Sequence, residues 1–243
     1  MEKMIGRGVQ LNASTYSILL ALVLVACGEA KKDEPAEPVV DPTRGREVLE
    51  AIKAGEDLKV IQMIDRDANL LFAKDNLDQR PLHVAVRYKR AELVTFFIRK
   101  GAYVNHLDVS GNSPLMWAIE YERPDFVEAL LRAGANPDRQ DDSQDWGPLH
   151  MACFYSQADA VKMLLDRGAK VNEGDNKGRS PLLWALTPMS RDRRLEVLPL
   201  LLDRGAEVDI TTKEGLTPIQ IIEGRGGETA PKLVQILRKH GAE

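Results

Sequence analysis

Few residues in this chain of 243 could do covalent or metal chemistry, and their spacing argues against it. There are two cysteines. Cys27 follows a leader-like apolar run and Cys153 follows Ala152 inside an apolar stretch, so they do not read as a disulfide pair, and Cys153 reads as a small core residue. His83 and His150 have no Cys or carboxylate neighbours at metal-ligand spacing. The acidic run DRQDDSQDW, with Asp138, Asp141, Asp142 and Asp145, does not match a calcium loop and lacks its closing glutamate; it reads as a solvated acidic finger able to attract a basic partner. No GxSxG elbow, phosphate loop or HExxH helix occurs, so the chain is read as a non-enzyme with no cofactor, metal or small-molecule substrate. What remains is noncovalent chemistry. Tyr88, Tyr121 and Tyr155 each stand three residues after an alanine, and each ring offers a large apolar area with a polar tip at low entropic cost.

That regular placement requires repeated elements. Pro81, Pro114, Pro148, Pro181 and Pro218 recur at spacings of 33, 34, 33 and 37, and Gly-Ala pairs at 101, 134, 168, 205 and 241 keep step. Proline fits the first turn of a helix because the amide hydrogen it lacks would have no intrahelical partner. Ala85, Ala118, Ala152 and Ala185 follow four residues later, where a small side chain lets neighbouring helices approach. Val94, Val127, Val161, Leu198 and Val234, with an apolar residue three positions on, mark one face of a second helix. The glycine then supplies the left-handed turn that ends it.

The units RPLHVA, SPLMWA, GPLHMA, SPLLWA and TPIQII resemble the ankyrin repeat over residues 45 to 243. The resemblance implies an all-α solenoid of about six helix-turn-helix units with short hairpin fingers, at about 45–74, 75–107, 108–141, 142–174, 175–211 and 212–243. The first and last units read as caps: the first lacks the proline opening, while Arg238 and Ile222 replace an apolar residue and the alanine in the last. TPMSRDRR and EGRGGETA read as insertions between paired helices, the former with a basic cluster of Arg191, Arg193 and Arg194.

Ankyrin-like arrays bind partners with a concave face of fingers and first-helix ends. Carried over by position, this selects Tyr88, Tyr121 and Tyr155, with Arg87, Glu120 and Phe154 beside them. It also selects Trp146, expected to be exposed on the fourth finger at the position of Gln79, Asn112 and Arg179. The tyrosines either are binding hot spots or fill grooves between repeats. Trp117 and Trp184 share their position with Val84 and Met151 and read as structural. The resemblance also implies that His83 and His150 tie backbone and loop together, through a network weakened because Arg80 and Gly147 replace a threonine partner.

Residues 1–26 start weakly basic, continue as SILLALVLVA and end before Cys27, which is the pattern of a targeting segment. Its apolar run is shorter than the roughly 20 residues of a spanning helix. Leu24-Val25-Ala26-Cys27 resembles a bacterial lipobox, implying a lipoprotein signal peptide and a Cys27 acylated as the first mature residue. Gly28 after the cysteine resembles outer-membrane sorting. Residues 27–44, punctuated by Pro35, Pro38 and Pro42, read as a tether.

The expectation is therefore a periplasmic, lipid-anchored module for an unidentified protein partner. Alternative roles are an immunity or inhibitor protein against a periplasmic toxin, or an accessory factor stabilising an envelope enzyme. With a net charge of −4 and no basic stripe, nucleic acid is not expected as a partner.

Overall fold

The computed structural model describes residues 38–141, 145–186 and 194–242. Cys27, the leader, most of the tether and the arginines at 191 and 193 lie outside the described residues. All regular structure described is helical.

The first unit pairs α1 (Pro42–Ala54) with α2 (Asp57–Arg66), followed by a 3₁₀ turn at Ala68–Phe72. The next units pair α3 (Pro81–Arg87) with α4 (Ala91–Arg99), α5 (Pro114–Glu120) with α6 (Pro124–Arg132), and α7 (Pro148–Phe154) with α8 (Ala158–Asp166). The last two pair α9 (Pro181–Ala185) with α10 (Arg194–Leu202) and α11 (Pro218–Arg225) with α12 (Ala230–Lys239). Helix α1 begins inside the stretch read as tether: Asp41 Oδ1 accepts from Thr43 N at 2.8 Å, and Pro42 fills the first position. The first unit thus has a proline opening after all, set further upstream of its alanine than in the other units.

Two columns hold the array. First helices pack on first helices and second on second, as the alternation of α3, α5 and α7 with α4, α6 and α8 requires. Ala85, Ala118, Ala152 and Ala185 are fully buried between first helices, and Phe97, Leu130, Leu164 and Leu201 between second helices. Each of those large side chains contributes about 1.5 to 3 kcal/mol by leaving water. One junction differs: among the described residues α9 and α11 approach far less closely than any other consecutive first helices, whereas α10 and α12 pack normally. The alanine column ends there, because Ile222 stands where the small residue would allow close approach.

Hydrogen bonds lock the second unit to the third, the third to the fourth and the fourth to the fifth through the loops after the Gly-Ala pairs. Asn105 Oδ1 accepts from Asn136 N at 2.7 Å, Asp138 Oδ1 from Lys170 N at 2.9 Å, and Asn172 Oδ1 from Glu207 N at 2.9 Å. Asn105 and Asn172 also donate to the carbonyls of Gly134 and Gly205.

His83 and His150 are fully used. His83 Nδ1 accepts from Arg80 N at 3.3 Å and His150 Nδ1 from Gly147 N at 3.1 Å. The proton therefore sits on Nε2, which donates to His106 O at 3.1 Å and Glu173 O at 2.9 Å, in the loop leading to the next finger. The network is weaker by one bond, as expected: neither Arg80 nor Gly147 gives the side-chain cap that Thr217 Oγ1 gives Gln220 N, while the backbone N–H still binds the ring whatever side chain precedes the proline. Burial, with the nearby His106 assisting, pushes the His83 pKa down to about 4, and burial lowers that of His150.

Candidate functional site: the finger-side face

Three fingers are closed by an aspartate, Asp75, Asp108 or Asp175, whose side chain replaces missing backbone partners. Asp108 Oδ1 accepts from Ser110 N and Asn112 N at 2.9 and 3.0 Å, and Asp175 Oδ1 accepts from Lys177 N and Arg179 N, both at 2.9 Å. Three positions before each proline the backbone is left-handed, at Asp78, Gly111, Asp145, Gly178 and Gly215, which turns the finger back towards its helix.

The second oxygen of these aspartates reaches the tryptophans. Trp117 Nε1 donates to Asp108 Oδ2 at 3.0 Å, and Trp184 Nε1 to Asp175 Oδ2 at 3.1 Å. The indoles are thus fixed between finger and helix, half-buried, each with a guanidinium on its face. Arg87 Cζ lies 5.5 Å from the Trp117 centroid, and Arg179 Cζ lies 3.9 Å from that of Trp184. Trp117 and Trp184 are structural as expected, tying finger to helix, and their rings also contact Tyr121 and Phe154.

Around Trp117 the stack continues. Tyr121 lies 5.5 Å from it with the rings only 10° from parallel, and Lys89 Nζ stands 5.9 Å from the Tyr121 centroid. Arg87, which is exposed, donates to Gln79 Oε1 at 3.3 Å. Glu120 is close by: burial raises its carboxyl pKa, Arg87 opposes that shift, and Asp108 adds to it.

Around Trp184 lies a second cluster. Trp146 is 5.0 Å from Trp184 and 5.5 Å from Phe154, and Phe154 is 5.1 Å from Tyr155. The expectation of an exposed Trp146 is corrected. Its ring turns back over α7 to pack on Phe154, it is half-buried, and its Nε1 is buried with no hydrogen-bond partner among the described residues. Burial, and the Glu120 carboxylate after it, raise the Tyr155 pKa.

The three tyrosines do not form a continuous ladder. Each ends a first helix, but among the described residues no two of their rings touch. Tyr88 is 43 % exposed and makes no ring contact there, while Tyr121 and Tyr155 pack within their own units. The aspartate nine residues before a tryptophan, in Asp108–Trp117 and Asp175–Trp184, is the sequence signal that finds the tie between these indoles and the finger.

Chemically, this face can stack and hydrogen-bond. Cys153 is buried on the first-helix column, and burial raises its thiol pKa far out of the reactive range. No group of three or more His, Cys, Asp or Glu side chains among the described residues is arranged to hold a metal ion. Nor is any described helix long and apolar enough to cross a membrane.

Paired helices, fingers and nearest-neighbour packing define a repeat array. The family model described as "Ankyrin repeats (3 copies)" matches residues 48–141 and 134–212, and the chain belongs to the ankyrin-repeat family. Ankyrin repeats are protein-interaction modules. The chain is similar to the nuclear factor NF-kappa-B p105 subunit of Gallus gallus, 34% identical over 182 residues, covering 72% of this chain and 18% of that protein. It is also similar to a putative palmitoyltransferase of Danio rerio, 34% identical over 54% of this chain and 20% of that protein. A third similarity is to an ADP-ribosylation factor GTPase-activating protein of Arabidopsis thaliana, 46% identical over 18% of this chain and 5% of that protein. The chain thus spans a fifth or less of these relatives' lengths.

Proposed function

We propose that the chain is a lipid-anchored periplasmic binding module that recognises a protein partner through its finger-side face. Acylated Cys27 holds it at the outer membrane, and the proline-punctuated segment after it gives the array reach. The observation that supports recognition by this face is the run of Arg87, Trp117, Tyr121 and Lys89. Two stacked rings lie there between two cations, the indole is fixed by Asp108, and both cations remain accessible. Surfaces of this composition concentrate binding energy in a few residues.

The test has two arms. For the anchor, Cys27→Ser should abolish fatty-acid labelling and release the chain from the membrane fraction; continued labelling would sink that part. For recognition, a photoreactive residue placed in intact cells at Tyr88, on the finger side, is compared with one at Leu58, exposed on α2. Discrete protein adducts should form from position 88 and not from 58. Adducts from 58 alone, or equal adducts from both, would refute a partner-binding role for the finger face.

A further inference from the structure

The loose junction between the fifth and sixth units leaves a cleft of about 560 Å³ between the last two fingers and helices α9 and α11. That is within the roughly 300 to 1,000 Å³ of sites that take a compact ligand or a short stretch of peptide. Lys177, Arg179, Lys213 and Arg225 line it, and Glu214 is the one acid among the lining residues. The charge there opposes that of the whole chain, which is −4. Asp175 holds the Arg179 guanidinium with a 2.7 Å ion pair, but Lys177 and Lys213 are exposed and make no ion pair among the described residues. The cleft is not purely polar, because Leu183 and Leu216 form part of its lining and Leu216 is 45 % exposed. Gly224 leaves one wall open, since a Cβ there would meet nothing within 4 Å.

We infer that this cleft takes a short acidic segment of the partner protein, extended, with carboxylates meeting Lys177 and Lys213 and an apolar side chain resting on Leu183 and Leu216. The inference rests on the finger-side face being the recognition surface and names the chemistry recognised at one end of it. Charge complementarity selects the acid, and the exposed leucine selects an apolar neighbour over a bare polyanion. A carboxylate rather than a backbone strand is the anchor, because both cations are long flexible side chains at the cleft rim.

The test uses the full-length chain and fluorescein-labelled heptapeptides read by fluorescence anisotropy. A peptide of alternating Asp and Leu should bind; the Lys/Leu and Asp/Ser versions should bind at least about tenfold more weakly. The double variant Lys177→Glu with Lys213→Glu should weaken the Asp/Leu peptide by at least about tenfold and flatten its salt dependence. Gly224→Leu should block the cleft and weaken binding comparably while leaving every charge in place. Unchanged affinity in both variants would overturn the inference. So would equal binding of a single-stranded oligonucleotide of matched charge, which would make the cleft a polyanion site. If the peptide fails but position 88 still yields its adducts, the cleft assignment falls and the finger-face reading stands; if those adducts are absent, the face reading itself falls.

Discussion

Acidification should unfold this array earlier than its carboxylates alone would, and His83 is the main reason. The side chain is fully enclosed, and protonation would place a charge there and remove the lone pair that accepts from Arg80 N. Its pKa is about 4 in the folded protein against 6.5 for the free group, so the unfolded chain binds the proton more readily. Stability is therefore complete above about pH 6.5 and is lost as the pH falls towards 4. The full gap is worth roughly 3 kcal/mol, of which about 2 kcal/mol is already lost at pH 5. His150, shifted the same way, adds to the loss. The lowered carboxyls of Asp125, Asp166, Asp175 and Glu214 act mainly below about pH 4.5, so pH 5 reads chiefly His83 and His150. Glu120, with a raised pKa, works weakly in the opposite sense. The perturbation is His83→Gln, for which the protein supplies its own precedent: Gln220 Oε1 accepts from Thr217 N at 3.0 Å in the sixth unit. Urea unfolding at about pH 7.5 and pH 5 should show a smaller pH difference in the variant than in the parent, by about 2 kcal/mol. An identical pH difference in the two proteins would refute the reasoning.

Three further outcomes follow from the geometry. Glu122 is held left-handed at φ 51° in the turn between α5 and α6, so Glu122→Gly should raise stability by about 1 kcal/mol in thermal unfolding; a loss would mean its side chain has a role in that turn. Asp175→Ala removes the acceptor for two backbone amides, one indole and one guanidinium, and should cost on the order of 3 kcal/mol and shift Trp184 fluorescence to the red; an unmoved spectrum would show that the indole is held by packing alone. Ala152→Leu, fully buried between first helices, should cost about 1 to 3 kcal/mol by overpacking, and a parental melting temperature would contradict the column.

The fold was legible because its punctuation is chemical. Proline cannot sit inside a helix without cost, glycine alone turns left-handed freely, and alanine alone lets first helices touch, so Pro81, Ala85 and Gly101 each declare a position. The face was legible in part. Tyr88, Tyr121 and Tyr155 fall at helix ends as the spacing predicts. Trp117 and Trp184 were assigned to packing because Val84 and Met151 occupy that position in other units. What distinguishes them is length: an indole extends past the core to reach a finger carboxylate, and a valine does not. Trp146 misled for the opposite reason, since a finger position says nothing about where a large ring turns when Phe154 lies beneath it. The opening between α9 and α11 is a matter of tertiary packing, which no period reveals.

That opening also changes how the end of the array behaves mechanically. Every inner unit is bonded to its neighbour along two rails, the first-helix column and the second-helix column, and shearing it loose means breaking both. Among the described residues the sixth unit rides chiefly on one rail, α12 against α10. In a linear chain of coupled units the weakest joint sets where fraying starts. Fraying of the sixth unit is therefore expected to start at this joint.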